Sequence, residues 1–152
     1  MTPKMLNPHI RGPINAYPVI LERGEREVLV DFVDIPWAHT IGDDEESALL
    51  NAVDCLETAF EALIDRREPI PEPSAPKRGQ RVVIVPVVVA AKAALHNAML
   101  AAGVRKADLT KRLNIAPTLA DRLLSMRHQT RIEQIENALA ALGQKLVVDV
   151  TQ

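Results

Sequence analysis

Apolar and polar residues alternate along two short runs near the start of the chain, Tyr17 to Glu22 and Val28 to Ile35. A period of two sends successive side chains to opposite faces of a strand, so Val28, Val30 and Phe32 share one face and Leu29, Asp31 and Val33 the other. Between the runs, Glu22-Arg-Gly-Glu-Arg26 holds a glycine where a turn needs φ > 0, which predicts a hairpin. Pro36 ends the second strand, and His39-Thr-Ile41 supplies a third before Gly42. The period then lengthens: Leu49, Val53, Leu56, Phe60 and Leu63 fall at steps of four and three, one helical stripe facing the sheet. Asp43 as N-cap, Glu46 three residues on and four consecutive acids at the positive end of the dipole mark the start of this helix, which runs to about Asp65. Val82 to Val85 reads as one more strand, returning to the same sheet.

Beyond that strand the pattern is helical. Ala90 to Ala102 closes at Gly103, Lys106 to Leu113 is followed by Asn114-Ile115 and a second short helix from Pro117 to Ser125, and Arg131 to Leu142 closes at Gly143. The middle pair, with Leu109, Leu113, Ile115, Leu119 and Leu123 as core, matches a helix-turn-helix. Asparagine tolerates the sharp exit at 114, and Pro117 fits the first helical turn, where a missing N–H costs nothing. After Gly143, Leu146, Val148 and Val150 alternate with Val147 and Asp149, which predicts a terminal strand. A lone strand on a helical domain has no ladder partner there. Pairing with its symmetry mate through Leu146, Val148 and Val150 is the predicted dimer device, with a return to the N-terminal sheet as the alternative.

These elements give an α+β fold. Residues 17–86 form a small sheet-plus-helix domain that includes a proline-rich connector at 67–80, and residues 87–152 form a helix-turn-helix domain with a short C-terminal strand. Residues 1–16, with prolines at 3, 8 and 13, read as a disordered extension or an over-long start. A length of 152 residues and an apolar content of 47% fit this organisation, and aromatics at 3% make the core aliphatic. The net charge of -2 conceals a division: residues 1–76 hold 6 Lys/Arg and 15 Asp/Glu, whereas residues 77–152 hold 12 and 5. Opposite signs on the two halves point to a cationic partner for the first and a polyanion for the second, or to two solvated surfaces of one body.

Catalytic chemistry finds little support. Asp31 and Asp34 are three apart along a strand and project to opposite faces, so they share no ion. His9, His39, His96 and His128 have no common spacing, no serine or cysteine sits in a nucleophile elbow, and Cys55 reads as a small buried thiol. No metal, cofactor or catalytic residue is predicted. One cysteine, no signal-peptide pattern and an apolar run too short to span a membrane place the chain in the cytoplasm.

Several motifs in order then carry a resemblance: Tyr17-Pro-Val19, Val30-Asp-Phe-Val-Asp-Ile-Pro36, Thr40-Ile-Gly-Asp43, Pro69-Ile-Pro-Glu-Pro-Ser74, Val85-Pro86, Ala91-Lys92, Asp108-Leu-Thr-Lys-Arg-Leu113, Arg127-His-Gln-Thr-Arg-Ile132 and Ala141-Leu-Gly143. From Tyr17 onward the chain resembles HicB-type antitoxins of bacterial toxin-antitoxin pairs. The resemblance implies a partial RNase-H-like N-terminal domain that inhibits a HicA-type toxin, a small basic mRNA-cleaving ribonuclease. It also implies a phage-repressor-like helix-turn-helix that represses the chain's own operon. Val87-Val-Val89, Arg105, Ala120 and Trp37 depart from the family pattern. A basic toxin calls for opposite charge, which places its interface on the acidic half, at Asp34, Trp37, His39 and Glu45. Carrying over the repressor pattern puts Thr118, Asp121 and Arg122 at base edges and Lys106, Arg127 and His128 on the DNA backbone. The implied partners are the toxin, operator DNA and the chain itself as a homodimer or higher even oligomer. Two other classes stay open: a repressor whose acidic half senses a small ligand, and a degenerate metal-dependent nuclease.

Overall fold

The computed structural model describes residues 15–148 and residue 150. Most of the expected extension therefore lies outside the described residues, as do His9 and Asp149. Four strands, β1 (Ala16–Arg23), β2 (Val28–Phe32), β3 (His39–Gly42) and β4 (Arg81–Ile84), form one sheet in the order β3-β2-β1-β4. Every neighbouring pair is antiparallel. The predicted hairpin is present, its turn closed by the Gly24 amide donating to the Glu27 carbonyl at 2.8 Å, but Gly24 does not take the positive φ expected of it. Val28, Val30 and Phe32 are buried together, as the alternation required. β2 stops at Phe32, short of Ile35, because the chain folds into a turn there: the Phe32 amide donates to Ala38 and the Ala38 amide to Ile35. Ile35 and Ala38 are buried beneath this turn, which leaves Pro36 and Trp37 outside.

The long helix α1 (Glu45–Asp65) covers the inner sheet face and ends where expected. Its N-cap is Asp44 rather than Asp43. The Asp44 carboxylate accepts from the Ser47 amide at 2.7 Å, and the Ser47 hydroxyl accepts from the Asp44 amide at 3.1 Å, a reciprocal pair that Asp43 and Glu46 do not make. Those bonds hold the Asp44 carboxyl below its ordinary range. The buried stripe is also rotated from the predicted one. Ala48, Ala52 and Ala59 join Leu56, Phe60, Leu63 and Ile64 inside, while Leu49 and Val53 are only partly covered. Alanine on the sheet side lets the two backbones approach closely, and Gly42 completes that approach: a Cβ built there would lie 2.3 Å from the Ala48 nitrogen. Cys55, expected to be buried, is part-buried with its Sγ 3.5 Å from the His39 carbonyl, and burial raises its thiol pKa.

The connector has no regular secondary structure from residue 68 to 77, yet it is tied down along its length. Tyr17, packed edge-on against Phe60 at 5.6 Å, donates its hydroxyl to the Pro71 carbonyl at 2.6 Å. Asn97 accepts from the Ile70 amide at 2.8 Å and donates to the Ile70 carbonyl at 2.9 Å, so both backbone polar groups of this buried residue have a partner. The His96 Nε2 lies 2.7 Å from the Glu68 carbonyl and must carry the proton; burial lowers the pKa of this ring and keeps it neutral at neutral pH.

The helical half contains α2 (Val87–Ala102), α3 (Lys106–Leu113), α4 (Pro117–Leu124) and α5 (Ile132–Ala141). α2 starts three residues before the expected Ala90, directly after Pro86, so the valine run belongs to the helix. Gly103 closes it at φ 65, and α2 and α3 meet at 101°. Asn114 takes the left-handed conformation, φ 52 and ψ 52, and three residues separate α3 from α4. Without a serine cap on α3, Asp108 turns back to accept from the Arg105 amide at 3.0 Å. No strand forms among the described residues after Gly143. Leu146 is partly buried against the core, and Val147 and Val148 are 80% and 59% exposed. The four-stranded sheet does not take the tail in. A strand needs a neighbouring ladder, and none of the four described strands pairs with residues 144–148. Among the described residues no single helix is long and apolar enough to cross a membrane.

Candidate functional site

Among the described residues, the long helix α1 covers one face of the sheet. Pairing places Ile20 beside Asp31 and Asp31 beside His39, and places Glu22 beside Leu29 and Leu29 beside Ile41, all on the face away from α1. Val82 and Ile84 continue this face at the β4 edge. Ile20, Ile41 and Ile84 are 48%, 49% and 68% exposed. A cluster of exposed apolar side chains interleaved with Glu22 and Asp31 is a surface that favours a partner with apolar and basic groups. Sequence alternation alone did not single it out, because a strand's second face is normally polar and here only Glu22, Asp31 and His39 of these residues are.

The four residues expected to meet a partner on this half divide into two pairs. Trp37 is 48% exposed at the tip of the 35–38 turn, with the Arg66 guanidinium 5.7 Å from its ring centroid. It is not part of the buried core, so it does not cap it. His39 is exposed on β3. Asp34 instead faces the connector, accepting from the Ser74 amide at 2.8 Å and from the Ser74 hydroxyl. Glu45 bridges Arg23 of β1 and Arg81 of β4 at the start of α1. The carboxylates of Asp34 and Glu45 thus hold the half together. Asp31 and Asp34 stand apart, the first on the open face and the second on the connector, and among the described residues no three His, Cys, Asp or Glu side chains gather as a metal set.

In the helical half, α4 is amphipathic over two turns. Ala120, Leu123 and Leu124 are buried, while Thr118, Asp121 and Arg122 are exposed together on the opposite side. Lys106, at the start of α3, forms an ion pair with Asp121 at 3.1 Å. His128 is exposed in the turn after α4. Arg127 points elsewhere. Its guanidinium donates to Asp54 at 2.5 Å and to the Thr58 hydroxyl at 2.7 Å, with Glu57 at 3.8 Å, all on α1. Next to it, Glu61 of α1 accepts from the Met126 amide. The turn between α4 and α5 is therefore a seam where the sheet half meets the helical half.

One residue of this seam lay outside the sequence-based expectations. Lys92 of α2 is fully buried, and its ammonium donates to the carbonyls of Arg122, Ser125 and His128 at 3.0, 2.6 and 2.6 Å. Burial lowers its pKa, and the nearby Glu61 carboxylate opposes that shift. A lone lysine between Ala91 and Ala93 on an apolar helix was the available signal, since lysine is almost never fully buried unless paired.

Known proteins place the chain. A family model described as "HicB_like antitoxin of bacterial toxin-antitoxin system" matches residues 16–94. "Antitoxin HicB 2" of Photorhabdus laumondii is 43% identical over 130 residues, 86% of this chain and 92% of its own length. "Antitoxin HicB" of Pseudomonas fluorescens is 37% identical over 81% of this chain and 85% of its own length. "Antitoxin HicB" of Escherichia coli K12 is 36% identical over 86% and 95%. Identity at this level across nearly the whole of each relative, together with an α+β chain of sheet half and helical half, means that the chain belongs to the HicB-like antitoxin family.

Proposed function

We propose that this antitoxin neutralises a small basic ribonuclease of the HicA type with its sheet half and represses its own operon with its helical half. The observation that carries this reading is the division of the surface. The acid-rich half leaves Ile20, Trp37, His39 and Ile41 exposed, and the basic half presents Thr118, Asp121 and Arg122 on one side of a short helix. In this reading the chain is not an enzyme, takes no cofactor and acts in the cytoplasm, where mRNA and operator are both found.

For the operator, α3 and α4 act as the helix-turn-helix, with α4 in the major groove. Thr118, Asp121 and Arg122 read base edges, and Lys106 and His128 hold phosphates. The exposed Lys106–Asp121 pair is worth at most about 1 kcal/mol, so exchanging it for a phosphate and a cytosine amino group costs little. Arg127 is a further contact to the DNA backbone in this reading: its side chain is half-exposed, and its pair with Asp54 of α1 exchanges for a phosphate as the Lys106–Asp121 pair does. Lys106→Ala is expected to weaken all DNA sequences alike and to lower the salt slope by about one, whereas Thr118→Ala and Asp121→Ala change base preference. Unchanged base preference in both of the latter variants would refute the placement of α4.

The chain self-associates through its tail in the same reading, Leu146, Val148 and Val150 pairing with a second copy to form the strand that a single chain cannot make. Removing residues 145–152 is expected to leave a monomer by light scattering and to lower operator affinity by tenfold or more, because two half-sites are no longer read together. A shortened chain that is still dimeric and binds with undiminished affinity would exclude the tail.

A further inference from the structure

α4 is only eight residues long, and three buried side chains hold it to the rest of the protein. A helix this short is marginal alone, so its attitude depends on what fixes its ends. Its C-terminal carbonyls lack intrahelical partners and carry partial negative charge. Lys92 supplies all three of its N–H donors at that point: one to Arg122, inside the last turn of α4, one to the C-cap Ser125, and one to His128 in the following turn. The Thr130 hydroxyl and the Ser125 amide donate to the same Arg122 carbonyl, each at 3.3 Å, so three donors hold that oxygen. From the other side, Glu61 accepts from the Met126 amide and, at 3.4 Å, from the Ser125 hydroxyl. Carbonyls from three residues thus converge on one buried cation. An ammonium without exposed surface is a costly way to stabilise a fold, since well-packed apolar residues do as well or better at such positions. What the ammonium adds is a fixed direction for the groups around it.

We infer that Lys92 is a positioning residue for operator recognition: it locks the C-terminal end of α4 and the 125–130 turn so that Thr118, Asp121, Arg122 and His128 keep one geometry toward DNA. Lys92 touches neither bases nor phosphates itself. The inference rests on the operator reading above and adds to it the device that makes α4 specific. With the ammonium gone, the carbonyls of Arg122, Ser125 and His128 lose their shared charged donor, and those of Arg122 and Ser125 keep only neutral ones, the Ser125 and His128 amides and the Thr130 hydroxyl; the turn loosens, α4 pivots, and contacts that need orientation are lost first. Contacts that need only positive charge survive.

Lys92→Met keeps the length and apolar character of the side chain and is the direct test, in the full chain, using DNA from upstream of its own reading frame. Affinity for that DNA is expected to fall at least about tenfold, while affinity for unrelated DNA of equal length stays within about twofold. Amide exchange of residues 123–130 should accelerate, and binding of the sheet half to the neighbouring ribonuclease should be unchanged. If Lys92→Met does not fold, Thr130→Val decides in its place. It removes the Thr130 bond to the Arg122 carbonyl and the 3.3 Å contact of that hydroxyl with the His128 ring, with no change of charge, and a severalfold loss confined to operator DNA is expected. A folded Lys92→Met protein with full operator affinity, equal losses on operator and unrelated DNA, or a neutral Thr130→Val would each overturn the inference. Wild-type protein that fails to prefer its own upstream DNA would instead overturn the operator reading on which the inference rests.

Discussion

Gly42→Ala is expected to destabilise the protein by about 3 kcal/mol or more, near the upper end of what overpacking costs. The added methyl would lie 2.3 Å from the Ala48 nitrogen, 2.5 Å from the Ala48 Cα and 2.8 Å from the Ser47 carbonyl carbon. All three are backbone atoms of the first turn of α1, so no rotamer change relieves the clash. The helix must move off the sheet, and with it the Asp44–Ser47 cap and the Glu45 bridge to Arg23 and Arg81. Native proteins have only about 5 to 15 kcal/mol of stability, and for a chain of this size each kcal/mol moves Tm by about 2 to 4 °C. Thermal unfolding should therefore show a fall on the order of 10 °C. A Tm within about 2 °C of wild type would mean that the close approach of helix and sheet is not the constraint described above.

Trp37→Ala is expected to weaken binding to the basic ribonuclease by at least about 2 kcal/mol, roughly thirtyfold in Kd, with little effect on folding. Tryptophan dominates interfaces when it is presented rigidly and desolvated by a partner. Here Ile35 and Ala38 pin the turn from beneath, two backbone hydrogen bonds close it, and Arg66 stacks on the ring. Little conformational freedom is left to lose on binding. Because Trp37 stands half-exposed outside the core, its removal should leave Tm nearly unchanged. Titration calorimetry checks the affinity and a melting curve the fold. Undiminished affinity would move the interface off the 35–38 turn.

The order of elements was legible because each rests on a local signal: alternation for β1 and β2, Gly103 and Asn114 at left-handed positions, and Pro117 in a first turn. Details that depend on a second element were not. Whether Asp43 or Asp44 caps α1 is decided by Ser47, and which stripe of α1 faces inward is decided by how near Gly42 lets the sheet come. The candidate site divides in the same way. Trp37 and His39 are exposed, and Asp34, Glu45 and Arg127 make contacts within the chain, to Ser74, to two arginines and to α1. A charge read from sequence does not reveal its nearest opposite charge in the fold. The C-terminal alternation shows the same limit from the other side, since a strand pattern specifies a face but not a partner.

The most direct measurement is inhibition of the HicA-type ribonuclease proposed as the partner, tested with the protein encoded by the adjacent reading frame. The purified toxin is assayed on RNA with increasing amounts of the full-length protein. A stable complex is expected, with cleavage that falls to zero at a fixed ratio, Trp37→Ala shifting the curve to higher concentration and added salt weakening the complex. RNA cleavage that continues undiminished at a large molar excess, with no complex by size-exclusion chromatography, would contradict the proposed neutralisation.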